Sequence, residues 1–198
     1  MAGTQCKFFS TISTSHTTFF LRSTNDTCVN SNNSLTQLLS CVETVDKWKL
    51  MHRAELASWI NPQANLVLIG DSCHPMLPYL AQGANSSIED GAVLGLLLAP
   101  HYFSSKAQLP ETLKLFERVR KERGEQIARE TFKQRHDFHM RDGPEREARD
   151  ALMLGMLGRQ VKGPFPSRWT CPDVQSWLYG YDAVAAVASA VASSAHKV

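Results

Sequence analysis

Apolar residues are spread unevenly along the chain. Residues 1–33 are rich in Ser, Thr and Asn and hold no sustained period, which predicts a disordered or irregular leader. From Leu35 the texture changes. Leu35, Leu38, Leu39 and Val42 recur at helical spacing and predict a short amphipathic helix. Trp48 with Leu50, then Leu56 with Trp59, predict one or two short strands with a turn between them. Asn61-Pro62-Gln63-Ala64-Asn65 reads as a loop. Leu66-Val67-Leu68-Ile69 is an unbroken apolar run closed by Gly70-Asp71, as expected of a strand covered on both faces.

Helices dominate the rest of the pattern. One is predicted over 84–99, stopped by Pro100, with Ile88, Ala92, Val93 and Leu96 as its apolar face. Ser87, Gly91 and Gly95 make a second face of small residues, open to close helix packing or to a flat ligand. Pro110-Glu111 starts a helix running to about Met140, with Leu113, Phe116, Val119, Ile127 and Thr131 inward. Its Arg, Lys and Glu residues read as a solvated face. Residues 144–158 predict another helix, and Val174 to Tyr181 a short last one packed through Trp177, Leu178 and Tyr181. The pattern divides the chain into the leader 1–33, a partial domain 34–183 and an Ala/Val/Ser-rich tail 184–198, read as a C-terminal helix or a frayed end.

Composition narrows the function classes. The 198 residues suffice for one ordinary domain with a sizeable core. A net charge of +2 is too balanced to point to nucleic acid. The five cysteines are odd in number and scattered, with no CxxC, which argues against a disulfide framework and a zinc site. That usage favours a reducing compartment, and the lack of a targeting signal in the sequence points to a cytoplasmic one. No apolar run approaches the roughly 20 residues that span a bilayer.

Chemistry concentrates in "LVLIGDSCHPMLPYLAQGANSSIED", Leu66 to Asp90. A strand, a Gly-Asp turn, a loop and a helix N-terminus form a ligand-binding order in α/β folds. Asp71 can accept hydrogen bonds from a polyol, and Gly83, Ala84 and Asn85 would offer helix N–H groups to an anion. A turn-capping role for Asp71 stands beside that reading. Cys73-His74 has no second ligand pair at suitable spacing, and His136 and His139, where a metal is conceivable, read as solvated or capping residues near the end of a charged helix. Ser72, His74 and Asp71 are too close in sequence to face one another as a triad.

The segment "GDSCHPMLPYLAQGANSSIEDGAVLG" resembles the second flavin-binding motif of single-component FAD-dependent aromatic hydroxylases, the salicylate hydroxylase and para-hydroxybenzoate hydroxylase type. "DKWKLMHRAELASW", "FHMRDGPEREARD" and "WLYGYDA" extend the resemblance in order, over about Leu35 to Ala183. It implies an α/β fold: the C-terminal part of a Rossmann-like FAD-binding fold, mostly helical in this chain. It implies that Asp71 holds the ribityl chain of FAD and that the backbone at Pro78 lies beside the isoalloxazine near the reacting position. Gly83, Ala84 and Asn85 would face the pyrimidine edge of the ring. Cys73 stands where such proteins commonly have Ala. The chemistry implied is hydroxylation of an aromatic or polyketide-like small molecule with NAD(P)H and dioxygen, by analogy in secondary metabolism.

The chain also departs from that family. It has no GxGxxG, the turn that takes the ADP half of FAD, and so no N-terminal βαβ unit is expected. A strand at 66–69 would then lack most of its parallel neighbours and show its edges. The competing reading is a truncated, non-catalytic remnant, or the partner-binding half of a split flavoenzyme whose second chain supplies the Gly-rich half. By either reading, FAD is not retained firmly by this chain alone.

Overall fold

The computed structural model describes residues 8–14, 17–23, 42 and 44–195. The chain forms two compact units, Met1–Leu50 and Met51–Val198.

The described part of the first unit is an antiparallel sheet of β1 (Phe8–Thr14), β2 (Thr17–Ser23) and β3 (Thr44–Lys49), in that order. Ile12 pairs with Phe19, and Phe20 with Asp46. Residues 8–14 and 17–23 thus depart from the irregular leader predicted for them. The sequences FFSTIST and TTFFLRS explain this: Thr is polar, yet it is β-branched and suits a pleated ladder beside Phe and Ile. The helix expected from Leu35 lies outside the described residues.

The second unit is helical. Its elements are α1 (Gly83–Leu97), α2 (Leu109–Phe138), α3 (Pro144–Gly155), α4 (Pro172–Tyr179) and α5 (Ala183–Ala195). No described helix is long and apolar enough to cross a membrane. The starts follow local chemistry. Pro lies in the first turn of α2, α3 and α4, where its missing N–H costs nothing. The Asp182 carboxylate accepts from the Val184 and Ala185 N–H groups and opens α5. The predicted tail is therefore largely helix, and Val187 sends its side chain into the core.

That core joins Trp59, Cys73, Val93, Leu97, Phe116 and Val187, with a smaller cluster of Leu80, Ile127 and Leu178. The predicted apolar face of α1 is rotated in the structure. Ser86, Asp90, Val93 and Leu97 point inward, while Ile88 and Ala92 are exposed. A buried Asp explains the shift, because it moves the inward face onto positions that hydropathy counts as polar. Likewise, α2 does not keep all its charges in solvent: Arg120, Arg123 and Glu125 are buried.

The run Leu66–Ile69 is not a two-sided buried strand. It makes one isolated bridge, Val67 to Ile60, and a Leu68 N–H bond to the Trp59 carbonyl. Leu56–Trp59 likewise forms no strand. Leu66 and Ile69 are 55% and 42% exposed, as expected of a strand sequence without sheet neighbours among the described residues. The Asn61–Asn65 loop holds as predicted, with the Asn61 side chain accepting from the Asn65 and Leu66 N–H groups.

Candidate functional site

The loop between Ile69 and α1 begins with a sharp backbone reversal. Gly70 has φ +60, a conformation that favours glycine, and a Cβ there would stand 2.8 Å from Ser87 Oγ, which would have to turn away. A short 3-10 turn, Gly70–Ser72, follows, closed by the Cys73 and His74 N–H groups on the Gly70 carbonyl. The turn leaves Asp71 exposed and sends Cys73 and His74 inward. Arg53, from the predicted "DKWKLMHRAELASW" segment, donates to the Ser72 and Cys73 carbonyls at 2.7 and 3.1 Å.

The loop is also fixed further along. The Leu77 N–H donates to Thr131 Oγ1 at 3.3 Å. A second 3-10 turn, Pro78–Leu80, ends on Ala81 in the left-handed region at φ 52. Trp169 Nε1 donates to the Tyr79 carbonyl at 3.0 Å, beside exposed Pro78. The chain then enters α1 at Gly83.

The mouth of α1 is uncapped. Its N-cap residue, Gln82, makes no side-chain cap bond, so the helix offers the N–H groups of its first turn. Ala84 and Asn85 are exposed there. An Asp71 carboxylate oxygen lies 4.0 Å from where a Cβ on Gly83 would stand. The structure thus places Asp71 beside the helix mouth. Pro78, Ala84 and Asn85 are exposed, and Gly83 is half-buried. An acceptor-only carboxylate next to a donor-rich, electropositive helix end can hold a ligand that has hydroxyls and an electron-accepting polar edge. This donor set fits a flavin carrying a ribityl chain.

Beneath the loop lies a buried polar network that the sequence pattern does not reveal. Asp90 Oδ2 accepts from the Gly70 N–H at 2.8 Å and lies 2.7 Å from His74 Nε2. Asp90 Oδ1 accepts from Arg120 Nε at 2.8 Å. Arg120 also donates to the Ser86 carbonyl and to Glu89. Glu89 in turn receives two bonds from Arg123, whose guanidinium reaches the Trp177 and Leu178 carbonyls and lies 4.2 Å from the Tyr181 ring centroid. The "WLYGYDA" segment therefore roofs the network.

Burial pushes the Asp90 carboxyl up, but hydrogen bonds from His74, Gly70 and Arg120 outweigh it and hold the group below the usual carboxylate range. Burial, with the Asp90 carboxylate next to it, pushes the Cys73 thiol up to about 12. Cys73, His74 and Asp90 bring ligand atoms within 4.8 Å of one another. The Asp90 carboxylate of this cluster is already shared among three donors, which makes it the centre of a hydrogen-bonded network. The one sequence signal for the network is Glu89-Asp90 inside an otherwise small and apolar helix, with Arg120 and Arg123 one turn apart on another.

A separate cleft of about 670 Å³ opens between α3 and the segment after it, lined by Met153, Leu157, Val161 and Phe165 among others. None of the predicted flavin-contacting residues lines it.

Comparison with known proteins identifies the family. Residues 5–131 match the family described as an FAD binding domain. The match begins within residues 1–33. The chain is 50% identical over 160 residues to the FAD-dependent monooxygenase OpS4 of Beauveria bassiana, covering 81% of this chain and 36% of that protein. It is 32% identical over 152 residues to the 3-amino-4-hydroxybenzoate 2-monooxygenase PtnB3 of Streptomyces platensis, covering 77% of this chain and 34% of the relative. The chain thus spans about a third of the length of these curated relatives. Among solved structures, FqzB superposes with a TM-score of 0.60 at 18% identity, over 90% of this chain and 45% of that one. CtdE in complex with FAD superposes with a TM-score of 0.55 at 17% identity, over 99% of this chain and 50% of that one. At such identities the superpositions show the fold alone, an FAD-binding fold that is mostly helical in the part carried here. The chain belongs to the FAD-binding domain family, and both of these curated relatives are named monooxygenases, OpS4 an FAD-dependent one.

Proposed function

We propose that this chain supplies the flavin-ring side of an FAD-dependent monooxygenase that hydroxylates an aromatic or polyketide-like small molecule in secondary metabolism. The observation that carries the reading is the Asp71 carboxylate set beside the uncapped mouth of α1. Asp71 would hold the ribityl hydroxyls. The N–H groups of Gly83, Ala84 and Asn85 would face the pyrimidine edge of the ring. The exposed Pro78 backbone, fixed by the Trp169 bond to Tyr79, would border the reacting face. When bound, FAD supplies the redox chemistry, taking electrons from NAD(P)H and delivering them to dioxygen. The protein's part is placement and electrostatics: a helix N-terminus stabilises negative charge by about 0.3–1 kcal/mol when exposed and up to ~2 when partly buried. No side chain of the loop is needed as a general base.

A second reading, one half of a split flavoenzyme whose second chain brings the Gly-rich half, has support of its own. Leu66, Ile69 and Ile88 leave apolar surface uncovered in the described residues. Both readings assign the same role to Asp71.

Titration of FAD fluorescence with the purified full chain tests that role. The wild-type chain shows weak but saturable quenching that does not survive gel filtration. Asp71→Ala, which removes a charged acceptor, raises Kd about tenfold. Equal affinity in the variant, or no saturable binding by the wild type, overturns the assignment.

A further inference from the structure

We propose that Asp90 is a positioning residue for the flavin loop: with Arg120 it fixes Asp71 and the α1 mouth relative to each other. The proposal rests on the flavin reading of Asp71. Asp90 touches none of the predicted cofactor-contacting groups and acts only through the backbone and side chains it grips.

The geometry is specific. Through Oδ2 it holds the N–H of Gly70, the residue immediately before Asp71, and the ring of His74, three residues after it. The turn carrying Asp71 is therefore pinned on both sides. Through Oδ1 the same carboxylate binds Arg120 Nε, while Arg120 Nη2 donates to the Ser86 carbonyl in the first turns of α1 at 3.2 Å. One carboxylate–guanidinium pair thus ties together the two halves of the candidate site. Both side chains are completely buried.

Packing alone does not account for such a pair. A buried ion pair is often no more stabilising than apolar residues of similar volume, so burial energy does not explain a charged centre here. What apolar residues cannot do is anchor a backbone N–H at one angle and distance. Pinned supporting groups hold a binding constellation within fractions of an ångström. Gly70, at φ +60 and pressed on Ser87, is the point at which the anchor acts.

A double-mutant cycle on FAD affinity in the full chain tests this, using fluorescence titration of wild type, Asp71→Ala, Asp90→Asn and the double variant. Asp90→Asn is expected to raise Kd about tenfold, and the double variant to bind no more weakly than Asp71→Ala alone. A merely structural role would make the two losses add. Additive losses, or normal FAD affinity in Asp90→Asn, overturn the positioning role and leave the flavin reading intact. Unchanged affinity in Asp71→Ala overturns both. Should Asp90→Asn fail to fold, native-state hydrogen exchange on the wild type decides. The Gly70 amide is expected to exchange as slowly as buried amides of α2, while those of Asp71 and Ser72 exchange fast. A Gly70 amide exchanging with its neighbours overturns the anchor.

Discussion

Gly124 shows how one residue in a long helix is set by what presses on it. It lies inside α2, where Gly costs about 0.5–1 kcal/mol relative to Ala. A Cβ there would stand 3.0 Å from His74 Cδ2 and 3.0 Å from Trp59 Cη2, two rings in tilted contact with centroids 5.2 Å apart. His74 cannot retreat freely, because its Nε2 is committed to Asp90. Gly124→Ala should therefore gain helix propensity yet lose more to overpacking, for a net destabilisation of about 1–2 kcal/mol. Urea denaturation followed by circular dichroism measures it. An unchanged or raised midpoint would show that the rings yield. At this scale the sequence was only partly informative. Asp71, Pro78 and Gly83–Asn85 stand out as candidates because their motif is contiguous, and the structure sets Asp71 near Gly83. Asp90 and Arg120 do not stand out, because they lie 30 residues apart and a helix rich in Arg, Lys and Glu reads as solvated.

At the scale of elements, α1 carries the sharpest difference between pattern and structure. Hydropathy places Ile88 and Ala92 inward, but Asp90 with its partners turns the helix so that Ile88 is 69% exposed and Val93 fully buried. Cβ atoms on Gly91 and Gly95 would meet nothing within 4 Å, so the small face is open. In the isolated chain, Ile88→Lys should change stability by no more than about 0.5 kcal/mol, as at other exposed sites. Val93→Ala should cost about 1–3 kcal/mol through lost burial and the void left behind. Thermal melts of the two variants compare them directly, and a larger loss from Ile88→Lys would mean that this face is covered in solution. The run Leu66–Ile69 follows the same logic. Its composition is that of a central strand, but a ladder needs neighbours that periodicity within the run cannot supply. The strands at 8–14 and 17–23 were hidden for the opposite reason, since Thr and Ser mask a strand when judged by polarity alone.

At the scale of the whole molecule, the described residues divide into an antiparallel sheet unit and a helical unit, and the chain spans about a third of the curated relatives it matches. The helical unit carries the complete run from Asp71 to Asn85 together with the side chains that hold it. That run is what the proposed flavin-ring contact requires. The most direct measurement is nuclear magnetic resonance of the nitrogen-15-labelled full chain during addition of FAD. The amides of Asp71, Gly83, Ala84 and Asn85 are expected to shift most, saturably and together. Those amides standing still while the amides around Met153 and Val161 shift would contradict the flavin reading, because the ligand would then occupy the α3 cleft instead.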